Sequence, residues 1–274
     1  MFSGRLAQGF SGGVMKQLFL TTTGLLALAT SAFAADLPAR VPMATKAPAY
    51  MAPVIFSWTG CYIGVEGGGN WGRSSQTTTT TPAPGVPITG NFNLSGGIAG
   101  GTVGCNYQVS NVVVGIENDY SWTNKSGSAA GLPPTFAATT ISSTKEKWID
   151  TLRGRVGFAW DRFMIYGTAG AAFAGTSVSV ADPAFGTLTS SQNRTGWTAG
   201  IGGEYAVLAD SWGAVSVKLE YLHADFGTKQ YFNPAVVTPV GTTVVTRDVK
   251  LSDDMVRAGV NVNFNWGGPA IPKY

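Results

Sequence analysis

From Met255 to Phe264 the chain alternates strictly. Val256, Ala258, Val260, Val262 and Phe264 fall on one face of an extended strand, and Arg257, Gly259, Asn261 and Asn263 on the other. The same two-residue period recurs upstream. Cys61, Ile63, Val65 and Trp71 oppose Tyr62, Gly64, Glu66, Gly68 and Asn70, and over 94–108 Ala99, Val103, Cys105 and Tyr107 oppose Thr102, Gly104, Asn106 and Gln108. Over 111–122, Val112, Val114, Ile116, Tyr120 and Trp122 oppose Glu117, Asp119 and Ser121; over 147–160, Trp148, Leu152, Val156, Phe158 and Trp160 oppose Arg153 and Arg155. Asp150 breaks that row and fits only at a headgroup rim. Both rows of 163–175 are small or apolar (Phe163, Ile165 and Phe173 against Met164, Tyr166 and Thr168), so its faces stay undecided. Over 194–208, Trp197, Ile201, Tyr205 and Val207 oppose Arg194, Thr198 and Glu204, and over 214–226 Val215, Val217, Leu219 and Tyr221 oppose Ser216, Lys218 and Glu220.

With the terminal segment this makes about eight strands, and their connections sort by parity. Those around Ser110, Asp161-Arg162 and Ala209-Asp210-Ser211 are short; those over roughly 73–91, 123–146, 176–193 and 227–248 are long and rich in Thr, Ser, Gly and Pro. A soluble sandwich has no reason to alternate its loops in this way. An antiparallel up-and-down barrel crossing a membrane does, with short turns on one side and long loops on the other. Trp58, Trp71, Tyr107, Trp122, Trp148, Trp160, Trp212, Phe264 and Trp266 lie near strand ends, where interfacial girdles form. The expected fold is therefore an all-β, eight-stranded transmembrane barrel, its apolar rows toward lipid and its charges toward the lumen.

Composition agrees. Only 12% of the 274 residues are charged, against about 25% in soluble domains, yet no apolar run reaches the roughly 18 residues of a membrane-spanning helix. Alternating strands reconcile the two. The net charge of +3 falls to about +1 once Arg5 and Lys16 leave with a signal segment, and basic clusters are absent, so no nucleic-acid partner is expected. Met15-Lys16 followed by an apolar run and Ala32-Phe33-Ala34 reads as a secretory signal cleaved after Ala34, with 1–14 as an upstream extension, so Met1 and Met15 compete as the start. Pro38, Pro42, Pro48 and Pro53 make 35–56 an extended linker, and 57–274 the barrel with its tail.

Candidate chemistry is confined to a few residues. Glu66, Glu117, Asp119, Arg153, Arg155, Arg194, Glu204, Lys218, Glu220 and Arg257 all point inward. A lumen of eight strands barely holds its side chains, so these charges must pair. The pairs form either a structural plug of salt bridges or a narrow ion path gated by partner exchange. Cys61 and Cys105 fall near one rim of the first hairpin on the lipid-facing row, where they can bond in an oxidising compartment or remain separate thiols. His223, the single histidine, stands two residues from Asp225, the one pairing that hints at catalysis, with no nucleophile evident beside it. No metal or cofactor is expected.

Several motifs carry a resemblance. They are Ala35-Asp36-Leu37-Pro38 after the signal, Ser57-Trp58-Thr59-Gly60-x-Tyr62-Ile63-Gly64, Leu152-Arg153-Gly154-Arg155-Val156-Gly157, Gly196-Trp197-Thr198-Ala199-Gly200 with Glu204-Tyr205, and the tail Gly267-Gly268-Pro269 to Lys273-Tyr274. Together they resemble the outer membrane immunogenic proteins, a porin-family group of OmpA-like eight-stranded barrels. Arg257, Gly259, Val262 and Phe264 resemble the terminal-strand signal read by the barrel-assembly machinery. Cys61 and Cys105 depart from the group, which usually has aromatics there. The resemblance implies a non-enzymatic surface protein of a Gram-negative outer membrane, in contact with lipid and lipopolysaccharide and open to peptidoglycan or host-surface contacts. Its expected role is envelope integrity and surface presentation, with weak porin-like conductance as a further property. The alternatives are loops that capture haem or a host or phage receptor, and an enzyme that modifies lipid through His223.

Overall fold

The computed structural model describes residues 56–210, 213–241 and 243–264. The expected signal, nearly all of the linker, Trp212, Trp266 and the tail lie outside the described residues. In chain order the strands are β1 (Gly60–Thr78), β2 (Phe92–Val109), β3 (Val112–Thr123), β4 (Ser126–Ala130), β5 (Ile141–Trp160), β6 (Phe163–Asp182), β7 (Gly186–Asp210), β8 (Gly213–Tyr231), β9 (Val236–Val237), β10 (Thr243–Val244) and β11 (Arg247–Phe264).

Antiparallel pairing runs from β1 through β2, β3, β5, β6, β7, β8 and β11 and back to β1, which closes an eight-stranded ring. β4 continues β3 along β5, and β9 and β10 form a small hairpin of their own. The register stepped once around the ring passes Cys61, Cys105, Ile116, Gly154, Ala169, Ala199, His223 and Asp254. It returns to β1 at Trp71, ten residues beyond its start. This stagger tilts the strands and fixes a bore that side chains fill. Two lumenal aromatics lie across glycines of the next strand, Tyr62 over Gly104 and Tyr166 over Gly202. A Cβ at these glycines would come within 2.4 Å and 2.5 Å of the respective tyrosines, a closeness only glycine permits.

The wall sorts as the alternation requires. Val65, Ile116, Val156, Ile201 and Leu219 are exposed outward, while Glu66, Glu117, Arg155, Glu204 and Lys218 are buried inward. On β6, which the pattern left undecided, Phe163 and Ile165 face out and Met164, Tyr166 and Thr168 face in. Tyr107, Phe158, Trp160, Phe163, Tyr205 and Phe264 ring one end of the apolar belt; Trp71, Tyr120, Trp122, Trp148 and Trp197 mark the other. Asp150 sits beside Trp148 in this second girdle, its Oδ1 accepting from Asn118 Nδ2 at 2.7 Å.

Trp58 does not join a girdle. It is 3% exposed and packs with Phe56, Val113, Ala159, Met164, Ala206 and Ala214. Its indole N–H donates to the Asp161 carbonyl at 3.1 Å. Entry from the linker thus plugs the short-turn end of the bore.

The segments expected as long loops are mostly strand. β1 runs on to Thr78, β5 starts at Ile141, and β6 and β7 are joined across residues 183–185 alone. The two-residue period persists there but its polarity reverses. Ser179 and Thr189 bond to each other on the outside at 2.9 Å, while Val178, Val180, Tyr231, Phe232, Val244 and Val249 form a core within. Above the girdle the outer face meets water instead of lipid, so polar side chains belong outside and apolar ones inside. At the tip, the Thr140 hydroxyl and the Ala184 N–H donate to Asp182 at 2.6 and 2.9 Å. These bonds hold its carboxyl below the usual carboxylate range and tie the 131–140 connection to the β6–β7 turn.

Candidate functional site in the barrel interior

Nine of the ten inward charges meet in one layer across the bore. Arg153 on β5 is its hub. Its guanidinium contacts Glu117 at 2.5 Å and Glu220 at 2.8 Å, and also Asp119. Arg155, one inward position along, reaches Glu204 at 2.9 Å and Glu117 at 3.2 Å, with its guanidinium 4.6 Å from the centre of the Tyr166 ring. Arg257 bonds Glu66 and Glu220, each at 2.5 Å, and Asp119 at 3.2 Å. Lys218 Nζ lies 3.2 Å from Glu66 and 3.4 Å from both Glu117 and Asp119.

Neutral donors complete the layer. The Tyr62 hydroxyl donates to Glu117 at 2.5 Å, Ser121 to Glu66 at 3.0 Å, and Ser216 and Asn261 to Glu204 at 2.6 and 2.9 Å. Every member is almost wholly buried. Desolvation of such ions costs several kcal/mol each, so the layer holds together only because each charge touches two or more partners. Gly259 serves this layer as well as the terminal strand, since a Cβ there would lie 3.1 Å from Lys218 Cε. Arg257 belongs both to the layer and to the terminal-strand motif, in which Val262 and Phe264 face outward and Phe264 pairs with Cys61 and Gly213 across the closing seam.

Arg194 is the exception. It lies ten residues from Glu204 on the same strand, about 33 Å of strand at 3.3 Å per residue. Among the described residues it contacts no carboxylate: its guanidinium donates to the Val249 carbonyl at 2.7 Å, the Gly227 carbonyl at 3.3 Å and the Tyr231 hydroxyl at 3.1 Å. A second ionic group stands between that level and the main layer. Lys125 pairs with Glu146 at 3.1 Å and with Asp253, all three fully buried, and Asn70 donates to Glu146 at 3.0 Å. The sequence reading missed this group because it placed 123–146 in a loop. Lys125 and Asp253 do keep the inward parity of Asp119 and Arg257. Glu146 does not keep that of Arg153, because a register shift falls between Glu146 and Trp148.

Around the second group lies an apolar layer of Leu94, Ile98, Ile149, Ala172, Leu222, Leu251 and Met255. The bore is thus occupied along its whole described length, by an apolar plug, the main ionic layer, this mixed layer and the upper apolar core.

On the outer wall, Cys61 and Cys105 are direct cross-strand partners and are joined by a disulfide. Its removal in Cys61→Ala should abolish the mobility difference between reduced and non-reduced unfolded samples on a denaturing gel; a difference that survives the substitution would exclude the intramolecular bond. His223 pairs with Asp254 of β11, Nδ1 to Oδ1 at 2.9 Å. The expected partner, Asp225, instead accepts the Gly227 N–H at 2.7 Å. Residues i and i+2 on one strand share a face but are about 6.6 Å apart, whereas directly opposed residues on paired strands are closer.

Residues 21–264 match the family model described as the outer membrane protein beta-barrel domain. The chain belongs to this outer-membrane β-barrel family. Among its relatives is the 31 kDa outer-membrane immunogenic protein of Brucella melitensis, 33% identical over 263 residues that make up 91% of this chain and all of that one. The 25 kDa outer-membrane immunogenic protein of Brucella abortus is 31% identical over 252 residues, 91% of this chain and 99% of its own. Among solved structures, the outer membrane protease OmpT from Escherichia coli aligns with a TM-score of 0.50 at 11% identity, over 76% of this chain and 98% of that one; this likeness is one of fold alone. The family places this barrel in the outer membrane, its apolar belt against lipid and its long-loop end beyond the upper girdle.

Proposed function

We propose that this outer-membrane barrel is a sealed anchor, which contributes to envelope integrity and holds an ordered strand extension on the cell surface for presentation. The observation that carries the reading is the filled bore, in which the side chains of Arg153, Arg257 and their carboxylates are each 1% exposed or less. Conduction would require breaking several multiply bonded ion pairs at once, and apolar layers on either side would still block the path. Weak porin-like conductance is therefore the less favoured reading.

Surface presentation is supported by the upper core, which makes the extension a rigid platform for the connections over 79–91, 131–140 and 232–246. In planar bilayers the purified barrel should show no resolved conductance steps at neutral pH. Steady openings in the unaltered protein would overturn the sealed reading. An epitope tag inserted between Phe136 and Ala137, exposed or half-buried positions of the 131–140 connection, should bind antibody on intact cells. The same tag between Ser110 and Asn111 should stay hidden.

A further inference from the structure

The outer wall is not uniformly filled. Across β5, β6, β7 and β8 runs an apolar groove of ≈ 940 Å³, floored by Gly167 and Gly203 and walled by Val156, Ile165, Ile201 and Leu219. A Cβ built on Gly167 would meet nothing within 4 Å, so the hollow above it is real space between ridges of exposed side chains. The groove climbs to Tyr221 and Val256, and directly above these the wall turns polar at the level of the upper girdle.

There Asp254 Oδ1 accepts from the Tyr221 hydroxyl at 2.7 Å and pairs with His223 Nδ1 at 2.9 Å. Asp254 Oδ2 has no hydrogen bond among the described residues. Trp71, directly opposite Asp254 on β1, and Trp197, whose ring centre is 5.6 Å from that of His223, flank the cluster. Asp225 lies opposite Trp197, and Arg73 lies two residues beyond Trp71, exposed and near enough to Asp254 to attract it electrostatically.

We infer that this wall binds one phospholipid whose head carries both a phosphate and a terminal ammonium, its acyl chain in the groove over Gly167 and its head between Arg73 and Asp254. The two ends of the site fit that one occupant. The groove offers only apolar contact between the two aromatic girdles, which suits a chain already in the bilayer. The polar end offers charges of both signs: the Arg73 guanidinium for the phosphate, and Asp254 and Asp225 with two indole faces for the ammonium. A purely anionic head would bring its charge against the Asp254 and Asp225 carboxylates with no ammonium to meet them, which disfavours it.

Native mass spectrometry of the detergent-extracted barrel tests the assignment, with phosphatidylethanolamine or phosphatidylglycerol added. The unaltered protein should retain one phosphatidylethanolamine and little phosphatidylglycerol. Gly167→Leu, whose Cβ has open space and whose side chain would occupy the groove, and Asp254→Asn, which removes the carboxylate, should each lower retention at least tenfold. Heat-modifiable gel mobility should stay normal in both, showing that the barrel has folded. Equal retention of the two lipids would overturn the head-group assignment. Undiminished retention in folded Gly167→Leu would overturn the groove.

Discussion

Arg153→Met should destabilise the barrel by about 3–5 kcal/mol, the cost of leaving buried charges without their partner. One guanidinium holds Glu117, Asp119 and Glu220 together, so its loss takes a cation from three buried carboxylates and leaves them only Arg155, Lys218 and Arg257. Methionine keeps much of the volume, which isolates the electrostatic part of the effect. Urea unfolding in lipid vesicles, followed by tryptophan fluorescence, should show the midpoint fall. A triple variant that also carries Glu117→Gln and Asp119→Asn should recover part of the loss, because it removes two of the stranded charges. If Arg153→Met unfolded at the same urea concentration as the parent, the ionic layer would not be what holds the bore.

The second large effect lies on the opposite face of the wall. Ile201 is 68% exposed, the most exposed of the large side chains around the groove. In a soluble protein, arginine at so open a position would be almost neutral. In the bilayer it should cost about 2–4 kcal/mol. Thr187→Arg, farther up the same strand and beyond the upper girdle, should change stability by less than about 0.5 kcal/mol. Measured in vesicles, the contrast between the two substitutions maps the edge of the membrane along β7. Equal costs would mean that no lipid meets that face.

The wall itself was legible in the residues. Rows such as Val256–Phe264 against Arg257–Asn263 reveal two faces without any structure, and the aromatic ends reveal where the belt stops. The charged layer followed from the same parity, since Glu66, Glu117, Arg153 and Arg257 had no other place to go. The rows did not show where each strand ends. Val178 and Val180 turn inward and Ser179 outward once the strand leaves lipid, so a reading tuned to apolar-outward rows saw only a polar loop and lost eight residues of β7. Arg194 was misassigned for the same reason: parity gives its face but not its height. Lys125 and Glu146 stayed hidden because 123–146 was read as a loop, and Glu146 also because a register shift breaks its parity with Arg153; without them nothing singled out Asp253. Trp58, read as a girdle residue, required knowing that the chain folds back under the ring before the first strand begins. His223 and Asp254 are 31 residues apart, and only the register between β8 and β11 makes them neighbours.

The central claim is a closed cylinder with lipid outside and a packed interior, and a thiol-reactivity scan along β7 tests it most directly. Both native cysteines are bonded, so a single introduced cysteine reports without background. In vesicles, cysteine at Ile201 should react only with a lipid-soluble maleimide, at Thr187 with a charged water-soluble reagent, and at Thr198, inside the bore, with neither. Rapid reaction of Thr198→Cys with the water-soluble reagent would reveal an open aqueous lumen, and reaction of Ile201→Cys with it would put the outer wall in water; either result contradicts the account.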